Sequence, residues 1–378
     1  MKKWKVSLIV VAVISITVGL LLSKEKEKPQ PREKRIQAVK GQVFPREAMW
    51  WKQIAKGVVQ CELCPRKCVL AEGQWGVCRA RKNINGKLYS MSYANPCAVH
   101  IDPIEKKPFS HFYPGTIAFS IAAAGCNLRC IFCQNWSISQ YKPTETDNFF
   151  LPPEAIVSLA KRNQCPSIAY TYTEPTNFYE YMLDCCKLAR KIGIKNVYHS
   201  NGYINQKPLR ELCKYLDAAC IDLKGFTERY YEEMCGATLQ PVLNTLKILK
   251  EEGIWLEIVN LIQPTKNDDP EIIEEMCKWI KKNLGPDVPI SFSRFYPMYH
   301  LKNLPPTPVE TLEKAREIAL KCGLHYAYVG NVGGHPGEDT YCPKCGKKLI
   351  DRAGYQILEN NIVKGKCKFC GTEIAGIW

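Results

Sequence analysis

The sequence predicts an α/β protein: a partial, open (βα)6-type barrel with a cysteine-rich module before it and a zinc-ribbon-like module after it. Three observations predict this. Between residues 117 and 330, seven short apolar or β-branched runs alternate with six longer segments of helical period. That alternation makes a parallel sheet with crossover helices. Eleven of the 20 cysteines fall into three tight groups with metal-ligand spacing. Polar residues follow one strand-like run after another, at the ends where barrels of this kind gather reactive groups. Six or seven units are too few to close an eight-stranded barrel, so an open form is expected, with an open doubly wound sheet as the alternative.

The chain has 378 residues, enough for one large domain with appendages, and its 46% hydrophobic content is ordinary for a globular protein. Its net charge of +15 is uneven, with +7 in the first 40 residues. This reads as topology signal and tail solvation, and no nucleic-acid partner is expected. A disulfide scaffold would be short, with scattered cysteines; clustered ones in a long chain point to metals and a reducing environment. Cys185, Cys186, Cys213, Cys277 and Cys322 read as buried small hydrophobes.

Residues 1–23 read as an N-terminal transmembrane anchor. Val6 to Leu22 is uncharged over 17 residues. As a helix it spans roughly 26 Å, against a hydrocarbon core of about 30 Å. Leu21-Leu-Ser-Lys-Glu-Lys offers no good cleavage site, and a cleaved signal is the alternative. More Lys and Arg follow the run than precede it. The expected location is therefore the inner (cytoplasmic) membrane, with a single span and the body on the cytoplasmic side. Residues 24–45 are a charged linker.

Residues 46–115 form the cysteine-rich module. Cys61, Cys64, Cys68 and Cys78 offer four thiolates, which suit a structural zinc or an auxiliary iron–sulfur cluster; free thiols are the third reading. Asn85-Gly86 between apolar residues signals a hairpin turn. Asp102 to Gly115 holds three prolines and reads as an extended connector, in which His111 and Lys106 either pack beneath the barrel or reach its mouth.

Residues 116–332 form the barrel. Strands are expected at Ile117–Ala123, Ser167–Tyr172, Ile194–Ser200, Ala218–Leu223, Ile254–Ile262, Pro289–Phe295 and Leu324–Gly330. Helices are expected at Pro153–Asn163, Phe178–Ile192, Gln206–Leu216, Glu228–Glu252, Pro270–Asn283 and Val309–Cys322. The loop after the first strand holds Cys126, Cys130 and Cys133, spaced C-x3-C-x2-C. Three thiolates there can hold three irons of a 4Fe–4S cluster and leave the fourth open; a zinc knuckle or unrelated thiols are the plainer readings. Later strand ends carry Thr171–Thr176, His199–Tyr203, Asp222-Leu-Lys224, Asn260 with Gln263, and Ser293–Pro297. Asp222 and Lys224 share a face because one residue lies between them.

Residues 333–378 hold two C-x2-C knuckles, Cys342/Cys345 and Cys367/Cys370, each followed by a glycine. This is close to a zinc-ribbon spacing and predicts a structural zinc, with a rubredoxin-type iron as competitor. Ile350 to Ile362 would form the hairpin.

Several of these stretches together resemble the radical S-adenosylmethionine (SAM) superfamily, and closely its branch of glycyl-radical (pyruvate formate-lyase type) activating enzymes. More narrowly they resemble the AmmeMemoRadiSam-system radical SAM enzymes. The stretches are Cys61-x2-Cys-Pro-Arg-x-Cys68, Asp102-Pro-Ile-Glu-Lys-Lys-Pro108, Ala124–Cys130, Phe132–Trp136, Tyr172-Thr-Glu-Pro175, Ser200–Tyr203, Asp222–Gly225 and the terminal Cys-Pro-Lys-Cys. The resemblance implies a 4Fe–4S cluster on Cys126, Cys130 and Cys133, SAM on its open iron, and one-electron cleavage of SAM to a radical that abstracts a hydrogen atom. It implies a low-potential electron donor, flavodoxin or ferredoxin, and a protein substrate among the options. Beside it, Phe132 offers an apolar face to the adenine, Glu174 a carboxylate to the SAM ammonium, and Asn201 hydrogen bonds to ribose or carboxylate. Asp222 and Lys224 are expected to bind SAM or a cation, with an internal salt bridge as the plainer reading, and Arg294 to neutralise the SAM carboxylate or a substrate acid. The family's Gly-Gly-Glu-Pro turn lacks both its glycines here, where Tyr172 and Thr173 stand before Glu174-Pro175.

Overall fold

A computed structural model describes residues 37–378. Its main sheet has eight strands: β1 (Ala98–Pro103), β2 (Ile117–Ala122), β3 (Ser167–Tyr170), β4 (Lys195–Ser200), β5 (Ala218–Asp222), β6 (Trp255–Ile262), β7 (Ile290–Arg294) and β8 (Ala327–Gly330). They lie side by side in chain order. β2 to β8 are all parallel, and β1 pairs antiparallel with β2. Between them run α1 (Pro153–Arg162), α2 (Tyr179–Lys191), α3 (Gln206–Cys213), α4 (Gln240–Glu251), α5 (Pro270–Leu284) and α6 (Val309–Lys321). Right-handed crossovers that never reverse direction put every helix on one face. The other face is then the inside of a rolled sheet. No pairing joins β1 to β8 among the described residues, so the barrel is open.

Period-two alternation sorts the strands' side chains. Phe119, Ile121, Ile168, Tyr170, Tyr198 and Ile221 pack outward in the core shared with the helices. Ala118, Ala169, Val197, Ala218, Cys220 and Val259 point inward, against Ile104, Phe109 and Phe112 of the connector that follows β1. The connector therefore plugs the floor of the barrel. Glu257, buried on β6, holds the plug by its carboxylate. It accepts from Ser110 N (2.8 Å), His111 N (2.9 Å) and Trp255 Nε1 (2.9 Å). Burial pushes its carboxyl up to about 7.

His111 is buried too. Its ring nitrogens meet the Ala375 carbonyl (2.6 Å) and the Tyr328 hydroxyl of β8 (2.5 Å), and burial pushes it down to about 3. It packs beneath the barrel, away from the mouth. Arg352 Nη2 donates to Ser110 O at 2.8 Å. Through these contacts the C-terminal module is joined to the connector and to the edge strand β8. That module contains the expected hairpin, Lys348–Ala353 against Gln356–Asn360.

The cysteine-rich module contains the expected turn. Arg81–Ile84 pairs with Lys87–Ser90, and Asn85 (φ 54°) and Gly86 (φ 75°) are both left-handed, as a tight hairpin requires. A buried ion pair, Arg81–Glu180 at 2.6 Å, fastens the module to α2.

Three expectations need correction. β1 was not expected as a strand: only its last two residues fall in the connector read as extended, and its burial does not follow the short Val99-His-Ile-Asp102 alternation, Ile101 being exposed. The helix expected over Glu228–Glu252 is split. Met234 and Cys235 give their carbonyls to Ile131 N (3.1 Å) and Arg129 N (2.9 Å), and Gly236 turns left-handed at φ 58°. The membrane localisation is not upheld: among the described residues no helix is long and apolar enough to cross a membrane. The apolar run assigned to the anchor, within residues 1–23, lies outside the described residues.

Candidate active site

The cysteine loop leaves β2 at a glycine. Gly125 has φ 102°, and a Cβ there would lie 2.4 Å from the Cys78 carbonyl oxygen. Only glycine lets the loop pass so close to the cysteine-rich module. Backbone bonds to Met234 and Cys235 hold the loop from one side. Arg66 holds it from the other, Nε donating to Asn127 O at 2.9 Å and Nη2 to Gly236 O. Asn127 Nδ2 reaches Tyr203 O at 2.7 Å, and Asn135 Nδ2 reaches Tyr172 O at 2.7 Å. The loop is thus set in place by the ends of β3, β4 and β5.

Cys126, Cys130 and Cys133 border one large cavity of about 520 Å³. Leu128 N points at Cys126 Sγ (3.4 Å), and Ser139 Oγ lies 3.2 Å from Cys133 Sγ. Phe132 is buried on the cavity wall, with Lys224 Nζ 5.9 Å from its ring centroid.

Among the other predicted residues, Glu174, Asn201, Asp222 and Lys224 line the same cavity. Glu174 is buried and already engaged, accepting from Thr176 N (2.9 Å), Ser200 Oγ (2.8 Å) and Asn201 N (2.9 Å). Burial raises its carboxyl, and these donors oppose the rise. Asn201 donates to Asn127 Oδ1 (2.9 Å) and lies 3.7 Å from Cys126 Sγ. Asp222 binds Lys224 Nζ (2.9 Å) and His199 Nε2 (3.0 Å). Burial alone would raise the Asp222 carboxyl, but Lys224 and His199 outweigh it and hold it below the usual range.

Arg294 is not brought to the cavity. It lies one residue out of phase with Ser293 on β7, and its Nε binds Thr307 O at 2.8 Å. The inward positions of β7 are Ser291 and Ser293, which do line the cavity.

The missing glycines are replaced by strain at Tyr172. It takes φ 63°, uncommon for a bulky residue. Its phenol is tied down in compensation, to Lys107 Nζ at 3.0 Å and to the Asp102 carboxylate. Lys107 is buried and pairs with Asp102 at 2.6 Å; burial lowers it to about 8. This anchor went unpredicted because its members lie some 65 residues apart.

The far end of the cavity was also unpredicted. It is lined by Glu105, Tyr328, Gly330, Arg352 and Tyr355, from the connector, β8 and the C-terminal module. No local signal marks Arg352. Period two along β7 and β8 could have found Ser291 and Tyr328 beside the strand-end Ser293. Cys235, a buried thiol beside Cys130, was hidden in the helical pattern that the fold interrupts.

The thiols of the three groups are spaced differently. Cys342, Cys345, Cys367 and Cys370 have all sulfurs within 4.8 Å of one another, the only group of three or more metal-binding side chains so close among the described residues. The trio on the loop is not among such groups. A single ion needs the compact set; a cluster spreads its thiolates over several irons. The loop's thiols, backbone donors and adjoining open cavity therefore fit a cluster with a free coordination position.

An open parallel barrel with three thiols at one mouth defines a class of iron–sulfur enzyme folds, and comparison with known proteins agrees. A profile of the radical SAM superfamily matches residues 120–280. An uncharacterized protein of Methanocaldococcus jannaschii is 48% identical over 331 residues, 87% of this chain and 98% of its own. The chain belongs to the radical SAM superfamily, which implies a 4Fe–4S cluster and SAM. It is also similar to the pyruvate formate-lyase-activating enzyme of Clostridium pasteurianum, 24% identical over 42% of this chain and 66% of that protein. Among solved structures, a radical SAM methyltransferase from Sphaerobacter thermophilus aligns with TM-score 0.47 at 14% identity, over 60% of this chain and 71% of that one.

Proposed function

We propose that this protein cleaves SAM reductively and abstracts a hydrogen atom from a substrate, with Cys126, Cys130 and Cys133 holding the catalytic cluster. The observation that carries the reading is the convergence of these thiols with Asn201, Asp222 and Lys224 on one cavity. When bound, the cluster and SAM supply one-electron cleavage of a sulfonium bond. The chain's own residues bind, orient and exclude water. Phe132 offers an apolar wall, while the Asp222–Lys224 pair presents fixed charge of both signs. Glu174 acts through Ser200 and Asn201, whose positions it sets, and the kink at Tyr172 presents its carbonyl to Asn135 of the cysteine loop.

A glycine of a partner protein is one substrate, as the similarity to activating enzymes favours. A small molecule or a single side chain of a companion protein is the other, favoured by a cavity that ends against Arg352 and Tyr355 instead of opening onto a flat surface. A low-potential carrier of the flavodoxin or ferredoxin kind would supply the electron, and the C-terminal thiols would hold a structural zinc.

The test is anaerobic reconstitution with SAM and dithionite, followed by measurement of 5′-deoxyadenosine. Product is expected from the wild type. A fully loaded sample that binds SAM and forms none overturns the reading.

A further inference from the structure

We propose that Cys61, Cys64, Cys68 and Cys78 hold a second 4Fe–4S cluster, and not a zinc ion. The four thiols border one small enclosed chamber in the cysteine-rich module, with Arg81 and Asn177 on its wall. Tetrahedral zinc with bonds of about 2.3 Å draws its sulfurs to roughly 3.8 Å of one another. The C-terminal set meets this: Cys342–Cys370 is 3.6 Å and Cys345–Cys367 is 3.8 Å. Among the described residues the C-terminal four are the set found close enough to hold a single ion; the N-terminal four are not.

A second observation points to what fills the space. Arg81 Nε and Asn177 Nδ2 are both buried without a hydrogen-bond partner, on side chains only 2% exposed. Orphaned buried donors of this kind are costly, and the sulfides of a cluster are acceptors that would satisfy them. Arg81 also brings positive charge beside Cys61 and Cys78, which suits a site whose thiolates outweigh the net positive charge of an iron–sulfide core. Gly76 leaves room for it. A Cβ there would lie 3.5 Å from Cys78 Sγ and 3.9 Å from Cys68 Sγ, pointing into the space between the thiols. Its backbone is not left-handed, so space and not conformation explains the glycine.

The chamber shares a wall with the catalytic loop. The Cys78 carbonyl packs on Gly125, and Arg66, between Cys64 and Cys68, bonds Asn127 O. The two clusters would thus be near neighbours. The inference rests on the radical SAM reading only for which cluster answers to SAM.

The experiment is an iron, sulfide and zinc count on the full chain after anaerobic reconstitution, with electron paramagnetic resonance of the dithionite-reduced protein. The wild type is expected to hold about eight irons and eight sulfides per chain. It should show two signals, one of which shifts when SAM is added. Cys64→Ser/Cys68→Ser should fall to half the iron and keep the SAM-sensitive signal. Cys126→Ala/Cys130→Ala should lose that signal and keep the other. Arg81→Lys, which retains all four thiols, should shift the reduction potential of the SAM-insensitive cluster alone. About four irons with two zincs in the wild type overturns the proposal, whether or not the double variant folds. A wild type with eight irons whose signals both ignore SAM upholds this site and counts against the radical SAM reading.

Discussion

The two four-cysteine modules share a ligand count and little else. The C-terminal thiols are drawn together, Cys345 and Cys370 are exposed, and the glycine turns at Gly346 (φ 71°) and Gly371 (φ 72°) fold each knuckle back on itself. The N-terminal thiols are spread round an enclosed chamber, three of them buried, with unpaired donors on the wall. One module staples a hairpin onto the edge of the barrel. The other is wedged against the catalytic loop. Ligand number alone leaves the occupant of such a site open; the separation of the sulfurs and the polar groups behind them are what our proposal rests on.

The contrast can be broken most sharply through activity. Cys130→Ala is expected to bring 5′-deoxyadenosine formation to background, a loss of more than about a hundredfold, since a direct ligand matters more than the second-layer partners that cost 10–100-fold. Cys342→Ser should release one zinc per chain and leave that rate within a few fold. Equal losses in both variants would show that the C-terminal module takes part in the chemistry.

The next effect is on stability. Arg81→Met strands Glu180 in the interior and should cost about 3–5 kcal/mol in anaerobic denaturant unfolding. Lys348 is itself exposed and pairs with the buried Asp339, which keeps Arg352 N as a second donor, and with Asp351. Lys348→Met should cost less than Arg81→Met. A small effect at Arg81 would mean that the N-terminal module is not fastened as its geometry implies.

Glu257 supplies a pH test of the plug that both the barrel and the C-terminal module use. Its carboxyl is raised by burial from 4.5 to about 7, so the folded chain holds this proton when the unfolded chain has lost it. Its contribution therefore favours the fold at low pH and is lost as pH rises from 4.5 towards 7, by about 3 kcal/mol in all. Comparison of the stability–pH curves of wild type and Glu257→Gln should show this slope in the wild type only. Parallel curves would refute it.

The smallest effect is expected at Tyr355, half-exposed at the far end of the cavity. Tyr355→Ala should change stability by no more than about 0.5 kcal/mol and leave SAM cleavage without substrate unaltered. Coupling of that cleavage to substrate turnover is the quantity to measure. A change there would assign the far wall to substrate binding.

Much of the fold was legible because its signals are local. Seven parallel strands and their crossover helices announce themselves by period, and the Asn85-Gly86 turn by residue type. β1 was not legible, because its alternation, Val99-His-Ile-Asp102, is only four residues long and ends at a proline. The break after Cys235 was not either, because its cause is two amides of the catalytic loop, distant in sequence. At the site, Glu174, Asn201, Asp222 and Lys224 stand at or after strand ends and Phe132 stands beside Cys133, and all five line the cavity. Arg294 was misplaced by one step of the pleat, which sends a side chain to the opposite face.

What the sequence by itself determined is which residues carry chemistry: three thiols on one loop, two further sets of four, and a series of polar strand ends. Ligand type and spacing along a chain are covalent facts, and they limit what each loop can bind. Only the tertiary structure decided what each set can hold. The separation of sulfurs, the orphaned donors of Arg81 and Asn177, and the reach of Arg352 into the barrel all arise between elements far apart in sequence. Packing brings them together, and no local pattern records the distance at which it does so.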